Sequence, residues 1–388
     1  MRTVHANAWN VVVSPSEIAV LFGVEGEWDN LAGEVAVRLS DRILLHPRAA
    51  KRLARALREA VRQHEARFGP AEPPAAPNPI RAAISQDDVL PGPATAEAVG
   101  RVEALLAAVR GLRADFGLEQ SFKLSRATLE ENRFLVTLAK RTIERPEERI
   151  LRVCDLLGMP EGLREVFAAR LPAANYLHVG FEEGVRGSLY KMYLEFWTDW
   201  EREIDQRPMR HDPFELHLGF KWDPTDAARR AVSTYTCHPR IAPERIRERI
   251  AGLFDPGAHS GSLAAALDIV ARAAAGVGRE QLLYLEVSES ESPRRSFDLN
   301  VYKANLRLGD FGEPLRRLCA FHGVPPERLA ALYARAKHKR LGHVSGGIDR
   351  TGRDFLTIYY GMRGLDAPRI GPGIAGVGGG AAAPSGGA

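Results

Sequence analysis

"FELHLGFKWD", residues 214–223, alternates without interruption. Phe214, Leu216, Leu218, Phe220 and Trp222 fall on one face of an extended chain, with Glu215, His217, Gly219, Lys221 and Asp223 on the other. A period of two predicts a strand with two different surfaces. An antiparallel sheet wet on one side produces that pattern, and so does a barrel whose polar lumen holds a ligand.

The same texture recurs in pairs from Asn175 onward. "NYLHVGFEE" is followed by "SLYKMYLEFW", "FELHLGFKWD" by "RRAVSTYTCH", "LLYLEVSES" by "RRSFDLNVYKANLRL", and "KRLGHVSGGID" by "RDFLTIYYG". Helix pairs separate the later hairpins: "APERIRERIAGLF" with "GSLAAALDIVARAAAG", then "FGEPLRRLCAFHG" with "PPERLAALYARAKH". An iterated ββαα order excludes a parallel barrel of alternating single strands and helices. It predicts an α+β fold: an antiparallel sheet, or a closed barrel of eight strands, with helices outside.

Upstream, four helices are expected: "TAEAVGRVEALLAAVRGLRADFG", "ATLEENRFLVTLAKRTI", "PEERILRVCDLLG" and "PEGLREVFAARL". Residues 1–69 read as a separate module, with strand-like runs "AWNVVVS", "EIAVLFGV" and "EVAVRLSDRILL" ahead of a helix in which Leu53, Leu57 and Val61 recur at helical spacing. Its "SPSE" turn and "LLHPRAAKRLARAL" resemble a small bacterial domain family of unassigned function over about residues 5–69, which implies a compact domain and no known chemistry. A Pro/Ala-rich linker (70–82), the main domain (83–365) and a disordered Gly/Ala tail (366–388) complete the expected layout.

Composition narrows the class. At 388 residues, 45% hydrophobic and 26% charged, the chain is ordinary soluble material, and a net charge of +4 is a weak nucleic-acid signal. The arginines of "HPRAAKRLARALREAVRQ" lack interleaved aromatics and read as a solvated helix face. Three separated cysteines, Cys154, Cys237 and Cys319, indicate neither a disulfide framework nor a zinc knot. With no export signal or apolar run of spanning length, a cytoplasmic protein without a membrane span is expected.

With the apolar residues under helices, the opposite faces of the strands collect one polar set. Lys191, Tyr193, His217, Lys221, Tyr235, Tyr284, Asn300, Tyr302, His343 and Tyr359 are the candidate substrate-binding residues, and Glu182 and Glu286 the candidate catalytic carboxylates. Tyrosines beside carboxylates, histidines and lysines suit a pocket lining. The iterated ββαα order with this tyrosine-bearing face, and the Lys-x-Tyr pair in "KMY" (Lys191, Tyr193), resemble the ABBA-type aromatic prenyltransferases over about residues 120–363. The resemblance implies a ring of ten antiparallel strands, Lys and Arg around an allylic diphosphate, tyrosines shielding the carbocation, and a first-hairpin carboxylate, here Glu182, taking the acceptor's proton. It implies an aromatic small molecule or peptide as acceptor and no cofactor, although a diphosphate could bring Mg2+ with it.

Competing signals are weaker. His178, His217 and His343 lie on separate strands without HxH or HxxxH spacing, so no metal site is assigned. No GxSxG elbow supports a triad of Ser345, His343 and Asp298. "GHVSGGIDRTGRDF" reads as a hairpin with small residues near a barrel mouth. The alternative function is a non-catalytic ligand-binding or assembly factor whose N-terminal module docks a peptide or partner by strand addition.

Overall fold

In the computed structural model, described residues are 8–13, 17–29, 34–68, 88–114, 116–196, 212–255, 260–277, 282–290 and 292–364. They fall into two units, one within residues 1–76 and the other within 77–372. The expected linker (70–82) and tail (366–388) lie outside the described residues.

The smaller unit is a three-stranded antiparallel sheet in the order β1 (Ala8–Val13), β2 (Ile18–Asp29), β3 (Glu34–Leu45), followed by α1 (Pro47–Phe68). Pro47 occupies the first helical turn, where its missing N–H has no intrahelical partner to lose.

The larger unit is a closed antiparallel barrel of ten strands. Helix α2 (Ala96–Gly111) leads into the hairpin β4 (Phe116–Ser125) and β5 (Thr128–Ala139). Helices α3 (Pro146–Leu156) and α4 (Glu161–Arg170) precede β6 (Tyr176–Gly184), β7 (Gly187–Glu195), β8 (Phe214–Asp223) and β9 (Asp226–His238). Helices α5 (Pro243–Gly252) and α6 (Gly261–Gly276) precede β10 (Leu283–Glu289) and β11 (Arg295–Asn300). Helices α7 (Gly312–His322) and α8 (Pro326–Ala336) precede β12 (Leu341–Ile348) and β13 (Asp354–Gly364).

Closure corrects the count of eight strands and the helix expected in "ATLEENRFLVTLAKRTI". Residues 128–139 form β5, not a helix. Phe134, Val136 and Leu138 face the helix layer while Arg133, Leu135 and Thr137 face inward, a period of two that the mixed Leu/Glu/Ala composition conceals. This hairpin is the piece that closes the ring, because β4 pairs with β13 and β5 with β6. Without it those two strands would be open edges.

The apolar face of each strand packs outward. One layer joins α2, α3 and α4 to β5–β8 through residues such as Leu105, Ile150, Phe167, Phe181 and Phe220. A second joins α5–α8 to β4 and β10–β13 through Ile246, Ile269, Leu318, Phe122 and Leu356. Trp222, fully buried on β8, donates its indole N–H to the Leu157 carbonyl at 2.9 Å. Each fully buried large side chain contributes about 1.5–3 kcal/mol. The opening alternation is thus satisfied with its apolar half outside the ring, which leaves the polar half in the lumen.

Topology sorts that lumen along the barrel axis. The five hairpin turns fall at one end of the barrel, and the helical crossovers β5–β6, β9–β10 and β11–β12 at the other.

Candidate active site

At the hairpin-turn end is a cavity of about 190 Å³ lined by Lys123, Arg133, Arg186, Lys221, Arg294 and Arg350, with Glu182, Asp349 and an aromatic wall that includes Phe355. Lys191 reaches it from behind Glu182, at 3.2 Å. Lys191 and Lys221 are directly opposed across β7 and β8, a like-charge pair that destabilises a sheet. Glu182 holds them together: its carboxylate lies 2.9 Å from Arg133 Nη2 and 3.7 Å from Lys221 Nζ. Burial raises the Glu182 pKa, but Arg133, Lys221, Lys191 and Lys123 outweigh it and hold the group well below the usual carboxylate range. Glu289 takes Arg294 and Arg350, each at 2.6 Å.

Those carboxylates do not balance the cations. Burial drives Lys191 down to about 8 and Lys221 to about 7, against the pull of Glu182, and lowers Lys123 as well. Arg133 Nε is buried without a hydrogen-bond partner. Charges this deeply buried and only partly neutralised are costly to the fold, so their natural complement is an anion of high charge density.

At the crossover end a smaller chamber of about 60 Å³ carries acid–base groups. His178 Nε2 is 2.6 Å from Glu195, and its Nδ1 is 2.8 Å from Thr137 Oγ1. His217 lies 3.8 Å from the other Glu195 oxygen, and burial takes its pKa down to about 4 despite that carboxylate. Opposite, His343 Nδ1 is 2.9 Å from Asp298. Burial opposes charge on His343, yet Asp298 and Glu119 carry it up to about 9. Burial pushes the Glu119 carboxyl up to about 7, against His343 and the hydrogen bond that the Tyr302 hydroxyl donates to it.

Three tyrosines, Tyr193, Tyr235 and Tyr359, line both chambers and form a belt between them. Tyr193 and Tyr235 meet edge to face at 5.8 Å, Tyr235 packs on His217 at 5.7 Å, and Tyr359 on His343 at 5.8 Å. Burial raises Tyr193 well above its ordinary value and Tyr235 to about 12, so both remain neutral phenols. Glycines make room for this machinery. A Cβ on Gly219 would stand 2.8 Å from the Tyr193 ring, and one on Gly180 3.3 Å from Lys191 Cε.

Of the residues picked from sequence, Glu182, Lys191, Tyr193, His217, Lys221, Tyr235, Asn300, Tyr302, His343 and Tyr359 face the lumen. Tyr302 belongs to a single 3-10 turn after β11 rather than to a strand, and it stands across the tyrosine belt from the two lysines. Tyr284 and Glu286 are corrections. They point outward, Tyr284 into the helix layer and Glu286 to Arg249 of α5 at 2.7 Å and to His238 at 3.4 Å. On β10 it is Leu283 and Leu285, opposite Asn300 and Asp298, that face in, so this strand reverses the usual polarity. Glu119, Lys123 and Arg133 were missed with the β4–β5 hairpin, although "GLEQSFKLS" (117–125) alternates legibly once read as a strand. Among the described residues no group of three or more His, Cys, Asp and Glu side chains is arranged to hold a metal ion. No helix among them is long and apolar enough to cross a membrane.

Residues 1–73 match a family model described as "Protein of unknown function (DUF3467)". No curated protein sequence matches the chain. Similar solved structures include AnaPT from Neosartorya fischeri, at 12% identity over 64% of this chain and 79% of that one, with a TM-score of 0.37. A 6-dimethylallyl tryptophan synthase aligns at 15% identity over 63% and 80%, TM-score 0.40. NotF in complex with brevianamide F and DMSPP aligns at 12% identity over 63% and 79%, TM-score 0.38. The ring of ten strands is the number that the ABBA-type resemblance implies.

Proposed function

We propose that the barrel transfers an isoprenyl group from an allylic diphosphate to an aromatic acceptor. The observation that carries this reading is the under-neutralised cationic chamber walled off by three tyrosines from a chamber of acid–base groups. Lys123, Arg133, Lys191, Lys221 and Arg294 receive the diphosphate oxygens and stabilise the charge that builds on them as the allylic C–O bond breaks. The faces of Tyr193, Tyr235 and Tyr359 meet the allylic cation and keep water from it. The acceptor's nucleophilic atom bonds to the cation's terminal carbon and loses its proton, and diphosphate leaves.

Glu182 suits the role of organising the lysines better than that of base, because its carboxyl is held far below neutrality. Glu119, with a pKa of about 7, matches a proton acceptor working near neutral pH. Tyr302 and His343 orient it.

The test is incubation with dimethylallyl or geranyl diphosphate and a panel of phenols, indoles and Tyr- or Trp-containing peptides, followed by mass spectrometry and diphosphate release. A mass gain equal to the isoprenyl unit, with stoichiometric diphosphate, is expected. Absence of both diphosphate binding and turnover across the panel overturns the assignment.

A further inference from the structure

The inner chamber holds about 60 Å³, less than the roughly 150 Å³ of a cavity that takes one aromatic ring, so an acceptor ring enters only as the lining gives way, and whatever carries the ring lies outside the chamber. Its lining includes Met362, which also lines a cleft of about 590 Å³ on the outer side of the β4–β13 seam. The seam is broken there. Tyr360 pairs with Gln120 and Arg363 with Leu118, while Gly361 adopts φ +71°, a left-handed bulge that turns the intervening chain. Met362 is the residue the two linings share, and methionine is unbranched and adaptable, a side chain that yields at little cost.

The cleft is basic. Arg335, Lys339, Arg340 and Arg363 line it; Asp88 pairs with Arg363 at 2.8 Å and Glu131, outside the lining, with Arg335 at 2.8 Å, which leaves Lys339 and Arg340 as its cations without a carboxylate partner among the described residues. Arg340 is exposed and has no acidic partner among the described residues, and Arg335 Nε is buried without a hydrogen-bond partner. Burial and then Arg363 lower the Lys339 pKa, the signature of cations crowding one another.

We propose that the acceptor is an aromatic side chain of an acidic peptide, its carboxylates held in this cleft while the ring passes Met362 into the lumen. The inference rests on the transferase reading for its purpose, yet its binding test needs no donor and no turnover. Charge complementarity selects the acidic flank, and the volume of the cleft accommodates several residues, which the inner chamber cannot.

The experiment is fluorescence anisotropy on the full chain with labelled Asp-Asp-Tyr-Asp-Asp, its Asn-for-Asp counterpart and its Tyr→Ala counterpart. The acidic tyrosine peptide is expected to bind at least about tenfold more tightly than the Asn version and to lose at least about tenfold on Arg340→Glu. Met362→Trp is expected to reduce it to the affinity of the Tyr→Ala peptide, whose own binding stays unchanged. Equal affinity for acidic and neutral peptides, or indifference to Arg340→Glu, overturns the proposal. Inorganic diphosphate binding, measured in parallel, separates the two readings: if it persists while peptide binding fails, only this inference falls, and if both fail the transferase assignment falls with it.

Discussion

The two opposed lysines of the cationic chamber make donor binding depend on pH in a way that arginines alone would not. Burial disfavours the charge of both lysines and takes Lys221 down to about 7 and Lys191 to about 8. A bound diphosphate favours the charged forms and raises both values, so binding takes up protons and affinity is lost as pH rises through the free-protein values. If only the doubly protonated chamber binds, the competent fraction falls from about 0.2 near pH 7.5 to about 0.001 near pH 9, a roughly 200-fold loss of affinity. Isothermal titration with inorganic diphosphate across that range, in buffers of different ionisation enthalpy, reads both affinity and proton uptake. Lys221→Arg removes the lower titration and is expected to make the profile shallower by one proton. A dissociation constant steady to within about threefold over the range would refute the reasoning, since it would assign the anion to the arginines.

Other consequences can be checked separately. Glu119→Gln should cut turnover by about 10²–10⁴-fold while leaving diphosphate affinity intact, as steady-state kinetics and titration would show. Gly219→Ala puts a Cβ 2.8 Å from the Tyr193 ring and 3.2 Å from that of Tyr235. Overpacking there should cost about 1–3 kcal/mol in denaturant unfolding, and the displaced belt should raise the share of donor lost to hydrolysis. Trp222→Ala empties a fully buried site outside the lumen and should cost about 3–5 kcal/mol by the same assay, with diphosphate affinity preserved wherever the variant is folded.

Much of the barrel was legible because period-two alternation is a direct imprint of a wall with two environments. β6, β7, β8 and β13 show it openly, with aromatic and aliphatic residues on the helix side and charged, polar or tyrosine side chains in the lumen. The β4–β5 hairpin was hidden by its own composition. Its inward positions hold Glu119, Lys123 and Arg133, charged residues common on exposed helices, and its "ATLEEN" start has helix-like composition. Side-chain type alone could not separate a lumen strand from a solvated helix there, and closure depended on that segment.

The site residues divide along a similar line. Polar lumen residues on strands of normal polarity were found by phase alone, but β10 carries leucines inward and Tyr284 and Glu286 outward, because its outer neighbours include the arginine of α5 that Glu286 pairs with. Phase gives a face, and the packed partner decides which face is the lumen. The choice first posed by residues 214–223 is resolved by the same rule. Phe220 and Trp222 pack under α3 and α4, so His217 and Lys221 must enter the barrel, one on either side of the tyrosine belt. A lysine costly to bury and a neutral imidazole, two residue pairs apart on one strand, are what a cavity needs if it is to hold an anion at one end and handle a proton at the other.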